Sequence, residues 1–354
     1  MAAAAGGRSG ASSATSRASS SSARASARNA SSFSSPPASH RTTTTPRRAP
    51  ISAISRCLSP GSGWTCARTP ASASWPRSGA PRASTGRRES LVKAIEINQH
   101  FLSRASWLDP AKTVDRVIVG DPQKEVRRLL VTWIASFRAV RAAVERGFDM
   151  LMTHEPSFWV HANELEKMER SEIASAKRLY IEQSGLVVLR NHDAWDRWPE
   201  VGIPWAWGQF LGLGGKPVAT GAGGYQHRYD VEPVALDEFA ARVARRTAAI
   251  GESAVQVVGD GKRLVSHVGI GTGCACDIRV FQEMGCDVSI VCDDGSCYWG
   301  PIQRAEDGGH AVIRVNHGTS EEPGMMTLTR YINEALPGVE AEHLPHGATF
   351  RLVG

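Results

Sequence analysis

Beyond residue 90, the apolar residues follow two periodicities that alternate along the chain. A spacing of three or four residues indicates helices. These predicted helices span 91–102, 137–146, 165–182, 203–211, 236–248, 302–307 and 325–335. Short apolar runs bounded by turn residues indicate strands. These predicted strands span 114–119, 126–134, 148–152, 186–189, 226–231, 254–258, 264–270, 288–291, 311–315 and 339–343.

This alternation of helices and strands predicts an α/β protein with largely parallel, mixed sheets. Residues 91–354 are long enough for one large domain or for two lobes that each contain a sheet. No apolar run reaches the roughly 18 residues that are needed to cross a bilayer. We therefore expect a soluble protein that does not associate with a membrane.

The first 88 residues differ sharply in composition from the rest of the chain. They contain thirteen Arg and no Lys, Asp or Glu, and they are rich in Ser, Ala, Thr and Pro. Such a segment cannot bury enough surface to offset its ordering entropy, so we expect residues 1–90 to be a disordered tail. The formal charge of +6 for the whole chain leaves −7 for the remainder. An acidic folding part argues against a core that binds nucleic acid.

Three explanations of this tail stay open. Its Arg- and Ser-rich, acid-poor composition fits an organellar transit peptide, and it also fits an arm that binds nucleic acid. It could instead be upstream sequence translated from a misplaced start, which we favour because no Met lies between Met1 and Met150. We expect a cytoplasmic protein, or an organellar one if the tail is a transit peptide.

Five of the seven cysteines lie between residues 274 and 297, namely Cys274, Cys276, Cys286, Cys292 and Cys297. Their spacing is not the doubled Cys-x-x-Cys of a zinc ribbon, so reduced thiols are the first interpretation and a soft-metal site is the second. Gly269, Gly271 and Gly273 follow a predicted strand, as in phosphate-binding turns. The third glycine is misplaced for a dinucleotide fingerprint, so we favour a tight turn.

Imidazole and carboxylate side chains follow three of the predicted strands. They are His154 and Glu155 after the third strand, His192 and Asp196 after the fourth, and His317 and Glu321 after the ninth. Because open α/β sheets bind ligands at the carboxyl ends of their strands, these six side chains can converge on one crevice. Imidazole combined with carboxylate suits zinc, iron or manganese better than calcium or magnesium. Three unrelated solvated loops are the alternative.

The motifs around these residues resemble a known family. T-H-E-P at Thr153, N-H-D-A-W-D at Asn191 and H-G-T-S-E-E-P-G-M at His317 are similar to signatures of the NIF-three-like dinuclear metal centre family, also called GTP cyclohydrolase I type 2-like. A Gly-Asp-Pro turn at 120–122 fits as well, and the resemblance covers residues 91–354. It implies two α/β lobes and a homohexamer with two divalent metal ions per subunit.

The same resemblance implies roles for individual residues. The candidate metal ligands are His154, Glu155, His192, Asp196, His317 and Glu321. Glu321 would bridge both ions, and Glu155 stands where the common pattern has a second histidine, which indicates a branch of the family. Two ions that share a water would lower its pKa and produce a hydroxide nucleophile. His192 or Glu155, if not a ligand, would then act as the catalytic general base or acid.

The reaction implied is metal-dependent hydrolysis of a small-molecule substrate. A nucleotide is one candidate, by analogy with cyclohydrolase chemistry, and phosphoesters or amides are others. The alternative is a non-catalytic hexameric metal-binding scaffold or regulatory protein, because the same ligands can hold a structural ion. Tryptophans at 195, 198, 205 and 207 could stack on a heterocycle, although packing in the core or at a subunit interface is their more frequent role.

We predict that the natural protein begins near Val92, where a GTG codon read as a start would give Met-Lys-Ala-Ile-Glu. Intact-mass measurement and amino-terminal sequencing of the protein from its natural source test this prediction. A mature chain that begins at Ala2 would rule out the misplaced start. A clean cleavage site within residues 2–88 would instead support the transit peptide.

Overall fold

Two large β-sheets with helices on their faces, together with a short antiparallel pair of strands (β1 and β3), form the part of the chain that the computed structural model describes, which is residues 91–168, 170–351 and 353. The predicted tail of residues 1–90 lies outside this part. The strands are β1 (Val92–Lys93), β2 (Arg116–Val119), β3 (Glu125–Val126), β4 (Arg128–Ile134), β5 (Met150–Glu155), β6 (Val187–Arg190), β7 (Ala219–Gly221), β8 (Gln226–Ala235), β9 (Gln256–Val258), β10 (Leu264–Ile270), β11 (Val288–Cys292), β12 (Ala311–Val315) and β13 (Glu340–His343).

Nine α-helices accompany the strands in the described residues. They are α1 (Ala94–Leu102), α2 (Phe137–Glu145), α3 (Glu172–Ser184), α4 (Asp193–Asp196), α5 (Ile203–Leu211), α6 (Leu236–Ala248), α7 (Ile278–Glu283), α8 (Gln303–Asp307) and α9 (His317–Ala335). A 3-10 turn at Ala222–Gly224 and a π-helical turn at Tyr298–Ile302 are also present. None of these helices is both long and apolar enough to cross a membrane.

The first sheet has five strands in the order β13-β4-β5-β6-β2. Its first four strands are parallel, and β2 is antiparallel at the edge. Because parallel neighbours need crossover connections, α2 and α3 link β4, β5 and β6. Both helices cover the face that carries Leu130, Leu151 and Val188. Helices α1 and α9 cover the opposite face, where Met150 and Met152 are fully buried.

The second sheet has six strands in the order β7-β8-β10-β11-β12-β9. Strands β10, β11 and β12 are parallel, and the outer pairs are antiparallel. Val288 and Ile290 of β11 are fully buried, as expected of a central parallel strand, and they share a core with Phe281 of α7. The predicted α/β class with mixed sheets is therefore confirmed.

Helix α9 joins the two sheets. It begins directly after β12 of the second sheet, packs on β4 of the first sheet, and leads into β13. The sequence predicted this helix at 325–335, because a proline such as Pro323 is favoured at the opening of a helix rather than in its interior. That boundary is wrong: the helix begins at His317 and contains Pro323. Burial of Glu321 before the proline and Met325 after it keeps both halves in one continuous helix.

Most other predicted elements are present. Four have the predicted bounds, namely Ile203–Leu211, Leu236–Ala248, Leu264–Ile270 and Ala311–Val315. The predicted helix at 165–182 is wrong in its first part, because the helix starts at Glu172 after Ser171, whose side chain accepts the backbone N–H of Ala174. The short elements α4, α7 and β7 were not predicted, since periodicity needs a longer segment to be visible.

The tryptophans that follow β6 are packing anchors. Trp195 and Trp207 are fully buried and Trp198 is nearly so, which makes all three unavailable for stacking on a ligand. Trp195 donates its indole N–H to the carbonyl of Gly324 in α9 at 2.8 Å. Trp205 is half-buried. Three of the four tryptophans therefore pack in the core, which is the more frequent role of such residues.

Gly202 allows the chain to turn tightly between α4 and α5. A Cβ at this position would lie 2.5 Å from the carbonyl oxygen of Trp195 and 2.7 Å from the nitrogen of Trp198. We expect Gly202→Ala to lower the free energy of unfolding by about 3 kcal/mol, because the backbone must move to admit the methyl group. The control Gly309→Ala meets open space at a φ of +66°, so its loss should be about 1 kcal/mol. If urea titrations gave the same loss of unfolding free energy for both variants, the close approach of the Trp195 and Trp198 backbone to Gly202 would be contradicted.

Candidate metal centre

The structure brings the six predicted site residues together between the two sheets. His154 and Glu155 end β5, His192 and Asp196 flank the first turn after β6, and His317 and Glu321 occupy the first two turns of α9. Strands β5 and β6 are adjacent and parallel, so their carboxyl ends meet at one edge of the first sheet. Helix α9 brings the third pair of side chains from the second sheet.

Two sets of ligand atoms share the carboxylate of Glu321. Its Oε2 lies 3.5 Å from Nε2 of His154, which in turn lies 3.2 Å from Oδ1 of Asp196. Its Oε1 lies 3.0 Å from Nε2 of His317, which in turn lies 3.5 Å from Oε1 of Glu155. Within each set, the atoms lie within 4.8 Å of one another. The two oxygens of one carboxylate therefore face two separate sets of metal-ligand atoms.

His192 lies against both sets. Its ring stacks on that of His154, with 4.4 Å between the centroids. Its Nδ1 lies 2.9 Å from Oδ1 of Asp193 and 3.2 Å from Oδ2 of Asp196, whereas its Nε2 lies 3.7 Å from Oε1 of Glu155. When Nδ1 donates its proton to Asp193, the lone pair of Nε2 is free for a metal ion or a proton.

Two imidazole nitrogens show that the site fits a metal ion. Nε2 of His154 and Nε2 of His317 are buried, and although carboxylate oxygens lie 3.2 Å and 3.0 Å away, none in the described residues is aligned for a hydrogen bond with them. The Nδ1 of His154 pairs with the carbonyl of Asn191 at 3.3 Å, which leaves Nε2 as the ligand atom. A divalent ion in each set, between its imidazole nitrogen and the nearby carboxylates, would satisfy both nitrogens. Nitrogen and oxygen ligands together suit zinc, iron or manganese.

The site is closed on one side and open on the other. His154, Asp196 and Glu321 are buried, and at most 8% of each residue is exposed. Glu155, His192 and His317 are half-buried. The side of the site that these three residues form is therefore the one that keeps contact with solvent.

The carboxylates of the site favour positive charge on the imidazoles. Burial lowers the pKa of His192, but Asp196 and its neighbouring carboxylates outweigh this effect and hold that pKa well above its ordinary value. Burial likewise opposes the charge on His317, yet Glu321 raises the pKa of His317 to about 11. The pKa of His154 is also raised: burial opposes the charge, but Glu321 and Asp196 together outweigh it. Cations, whether protons or metal ions, are thus favoured in this pocket.

Trp133, which the sequence did not single out, orients the shared carboxylate. It lies near the end of β4 and donates its indole N–H to Oε2 of Glu321 at 2.8 Å. Its ring meets the imidazole of His317 edge on, with 5.3 Å between the centroids. A Cβ at position 318 would lie 3.0 Å from this indole, so glycine there permits the contact. A single tryptophan in an apolar strand is typical of a core residue, so nothing in the sequence indicated this role of Trp133.

Asp115 is a second positioning residue that the sequence did not reveal. Its buried carboxylate accepts the backbone N–H groups of His192, Asp193 and Ala194 at 2.6, 2.9 and 2.8 Å. Burial raises the pKa of Asp115, against these hydrogen bonds. The carboxylate fills the amino-terminal end of α4, where backbone N–H groups have no partner within the helix. It thereby fixes the loop that carries the second motif.

The second sheet holds His317 from the opposite side. Asp293, directly after β11, accepts the backbone N–H of His317 at 2.6 Å. Gly273, in the loop after β10, has a φ of +53°, and a Cβ there would lie 3.0 Å from Nε2 of His317 and 3.2 Å from Oε1 of Glu321. The glycine-rich stretch therefore allows a close approach to the candidate site.

The five cysteines of the described residues are free thiols. Cys276 and Cys292 are buried, and their sulfur atoms lie 3.8 Å apart. No set of potential metal ligands in the described residues includes a cysteine. The interpretation as reduced thiols is therefore the better one for these positions.

Comparisons with known proteins agree with the resemblance of the motifs. Residues 100–346 match the family Duf34/NIF3 (NGG1p interacting factor 3). No curated protein matches the sequence significantly.

Several solved structures share the fold. Protein ybgI superposes with a TM-score of 0.61 at 19% identity, over 73% of this chain and 100% of its own. Protein SA1388 of Staphylococcus aureus has a TM-score of 0.61 at 16% identity, over 74% of this chain and 99% of its own. A Bacillus cereus protein related to NIF3 has a TM-score of 0.60 at 14% identity, over 75% of this chain and 100% of its own. At these identities the likeness shows the fold alone, which is NIF3-like.

Removal of the Asp115 carboxylate tests its role in positioning the loop. Asp115→Ala leaves three backbone N–H groups without their acceptor, so we expect the free energy of unfolding to fall by about 3 kcal/mol. The control Asp109→Ala removes an exposed carboxylate, and it should change the free energy of unfolding by about 0.5 kcal/mol. Urea unfolding followed by circular dichroism measures both. A loss for Asp115→Ala no larger than that of the control would contradict the role.

Proposed function

The chain belongs to the Duf34/NIF3 family, and from this premise we propose that it is a dinuclear metal-dependent hydrolase. The observation that supports this proposal most strongly is the position of Glu321 between two sets of ligand atoms. One ion would be held by His154, Asp196 and Glu321. The other would be held by Glu155, His317 and Glu321.

Zinc, iron or manganese fits this combination of imidazoles and carboxylates. Two bound ions would act as Lewis acids and would lower the pKa of a water toward neutrality. Other residues of the chain hold these ligands in position. Trp133 holds the Glu321 carboxylate in one orientation through its indole N–H, and Asp293 holds the backbone of His317.

His192 is our proposed general acid or base. Its Nδ1 is oriented by Asp193, and its Nε2 points toward Glu155 on the half-buried side of the site. An imidazole that is fixed through one nitrogen can hold and release a proton at the other. Although burial opposes it, hydrogen bonding to His192 keeps the pKa of Glu155 low, so Glu155 is better suited to ligation than to proton transfer.

The open side of the site favours an enzyme over a structural metal site. Structural ions are enclosed by protein ligands, whereas catalytic ions keep a position for water or substrate. The side chains of Glu155, His192 and His317 are 14%, 16% and 17% exposed, so this side of the site keeps contact with solvent. A nucleotide or another phosphoester is the proposed substrate class. The homohexamer stays a prediction.

Glu321→Gln tests the bridging role. If Glu321 is shared, the variant should lose metal from both positions, because each ion loses a ligand and the repulsion between the ions is less compensated. His317→Ala and Asp196→Ala should each retain about one ion per chain, because each residue serves one ion. Elemental analysis after gel filtration measures metal per chain, and circular dichroism checks folding.

The matched control is Glu322→Gln. Glu322 is equally buried on α9, but it binds Nε2 of His343 at 2.7 Å and points away from the site. This variant should keep two ions per chain. A folded Glu321→Gln protein that also keeps two ions per chain would contradict the proposed bridge.

His192→Gln tests the catalytic proposal. A panel of nucleotides, phosphomonoesters and phosphodiesters is first screened with metal-loaded protein and with chelator-treated protein. For the substrate that is hydrolysed, His192→Gln should lower kcat by about 10²–10⁴-fold while the metal content stays the same. Loss of one ion per chain would show that His192 is a ligand instead. No metal-dependent hydrolysis of any member would favour the metal-binding scaffold.

A further inference from the structure

A second cavity, of about 300 Å³, lies across Trp133 from the candidate metal centre. Its floor is formed where β4 ends in Trp133 and Ile134, and His346 lines it beyond the end of β13. We call this cavity the tryptophan pocket. Its volume is sufficient for a small molecule.

The tryptophan pocket lies beyond the carboxyl ends of β4 and β13, which are neighbouring parallel strands of the first sheet. The connection that leaves β4 runs through α2 on one face of the sheet, whereas the connection that enters β13 runs through α9 on the opposite face. A crevice therefore lies at the carboxyl ends of these two strands. Open α/β sheets bind ligands in such crevices.

The chemistry of the walls indicates what this crevice would bind. Trp133, Phe137 and Trp159 supply aromatic surfaces. Lys177 supplies the charge, and no carboxylate lines the cavity among the described residues. Nδ1 of His346 is buried and has no hydrogen-bond partner in the described part of the chain. The walls thus combine aromatic faces with one cationic side chain and one imidazole.

Lys177 is a cation that the protein removes from water. Only 1% of the residue is exposed. Its ammonium group donates to the carbonyls of Ala135, at 3.0 Å, and of Ser157. An ammonium group has three N–H donors, and beside these two carbonyls the ring of Trp159 lies 4.2 Å from the ammonium nitrogen. Burial lowers the pKa of Lys177 to about 8, which reflects a charge that an anion would stabilise.

Trp159 combines backbone strain with exposure. Its φ is +61°, in a region that bulky side chains rarely adopt. Half of the residue is nevertheless exposed, and its ring lies 4.2 Å from the ammonium nitrogen of Lys177. Burial of the indole therefore does not account for the strained backbone. A stacking surface for a ligand accounts for both features.

We propose that the tryptophan pocket binds a small planar aromatic anion, with its ring against Trp159 and Trp133 and its negative group at Lys177. This proposal goes beyond the proposed hydrolase and does not depend on it. A ligand in this position would contact the same indole that orients Glu321.

Isothermal titration calorimetry of the full-length, metal-loaded chain with 2-naphthalenesulfonate tests the proposal. This probe is a planar aromatic anion whose sulfonate is a weak metal ligand. Its neutral isostere, 2-(methylsulfonyl)naphthalene, has the same ring without the charge. We expect the anion to bind at least tenfold more tightly than the neutral compound. Equal affinities would overturn the role of Lys177 and with it the proposal.

Two variants locate the binding. Trp159→Gly removes the stacking face and suits the positive φ, so it should fold at least as well as the parent while it weakens binding at least tenfold. Lys177→Met should weaken binding of the anion to the level of the neutral compound, and if this variant does not fold, Trp159→Gly alone decides. Trp299→Gly and Lys216→Met, at exposed positions, should bind like the parent.

The last measurement distinguishes binding in the tryptophan pocket from binding at the metal centre. The Glu321→Gln variant should bind 2-naphthalenesulfonate within about threefold of the parent affinity. Binding that is lost together with the metal ions would place the probe on the ions and overturn the proposal. Unchanged affinity in Trp159→Gly would overturn it as well.

Discussion

A buried carboxylate needs cations or hydrogen-bond donors around it, and Glu321 is the carboxylate on which the site depends. Only 3% of this residue is exposed, yet one of its oxygens faces His154 and the other faces His317. Helix α9 carries it from the end of β12 in the second sheet to the surface of the first. Both sheets must therefore be in place before the negative charge of Glu321 is compensated. The fold and the arrangement of the candidate ligands thus depend on each other.

The residues that surround the ligands convert this requirement into a fixed geometry. Trp133 orients the Glu321 carboxylate, Asp115 holds the backbone from which His192 projects, and Asp293 holds the backbone of His317. Each supplies a hydrogen bond from a different strand end or loop, so the ligand atoms have little freedom to separate. Loss of such an outer contact typically lowers metal affinity by about 10–100-fold. The half-buried His192 then lies where a proton can be exchanged with a bound small molecule.

The sequence predicted the elements whose signal is local. Apolar runs ending in His154, His192 and His317 indicated strand ends with a common ligand chemistry, and these side chains do meet. It could not predict that α9 continues through Pro323, because the packing that sustains the helix involves residues distant in the sequence. Nor could it predict the role of Asp115, whose partners lie 77 to 79 residues further along the chain. Contacts of this kind are set by the tertiary fold and leave no periodic pattern.

The central claim, that Glu321 bridges two ions, is tested most directly by anomalous X-ray diffraction from crystals of the metal-loaded chain. Data collected on both sides of the absorption edge of the metal locate each ion independently of the protein. If Glu321 bridges two ions, two anomalous peaks should lie about 3.5–4 Å apart, each adjacent to a different oxygen of Glu321. A single peak, or two peaks of which only one contacts Glu321, would contradict it.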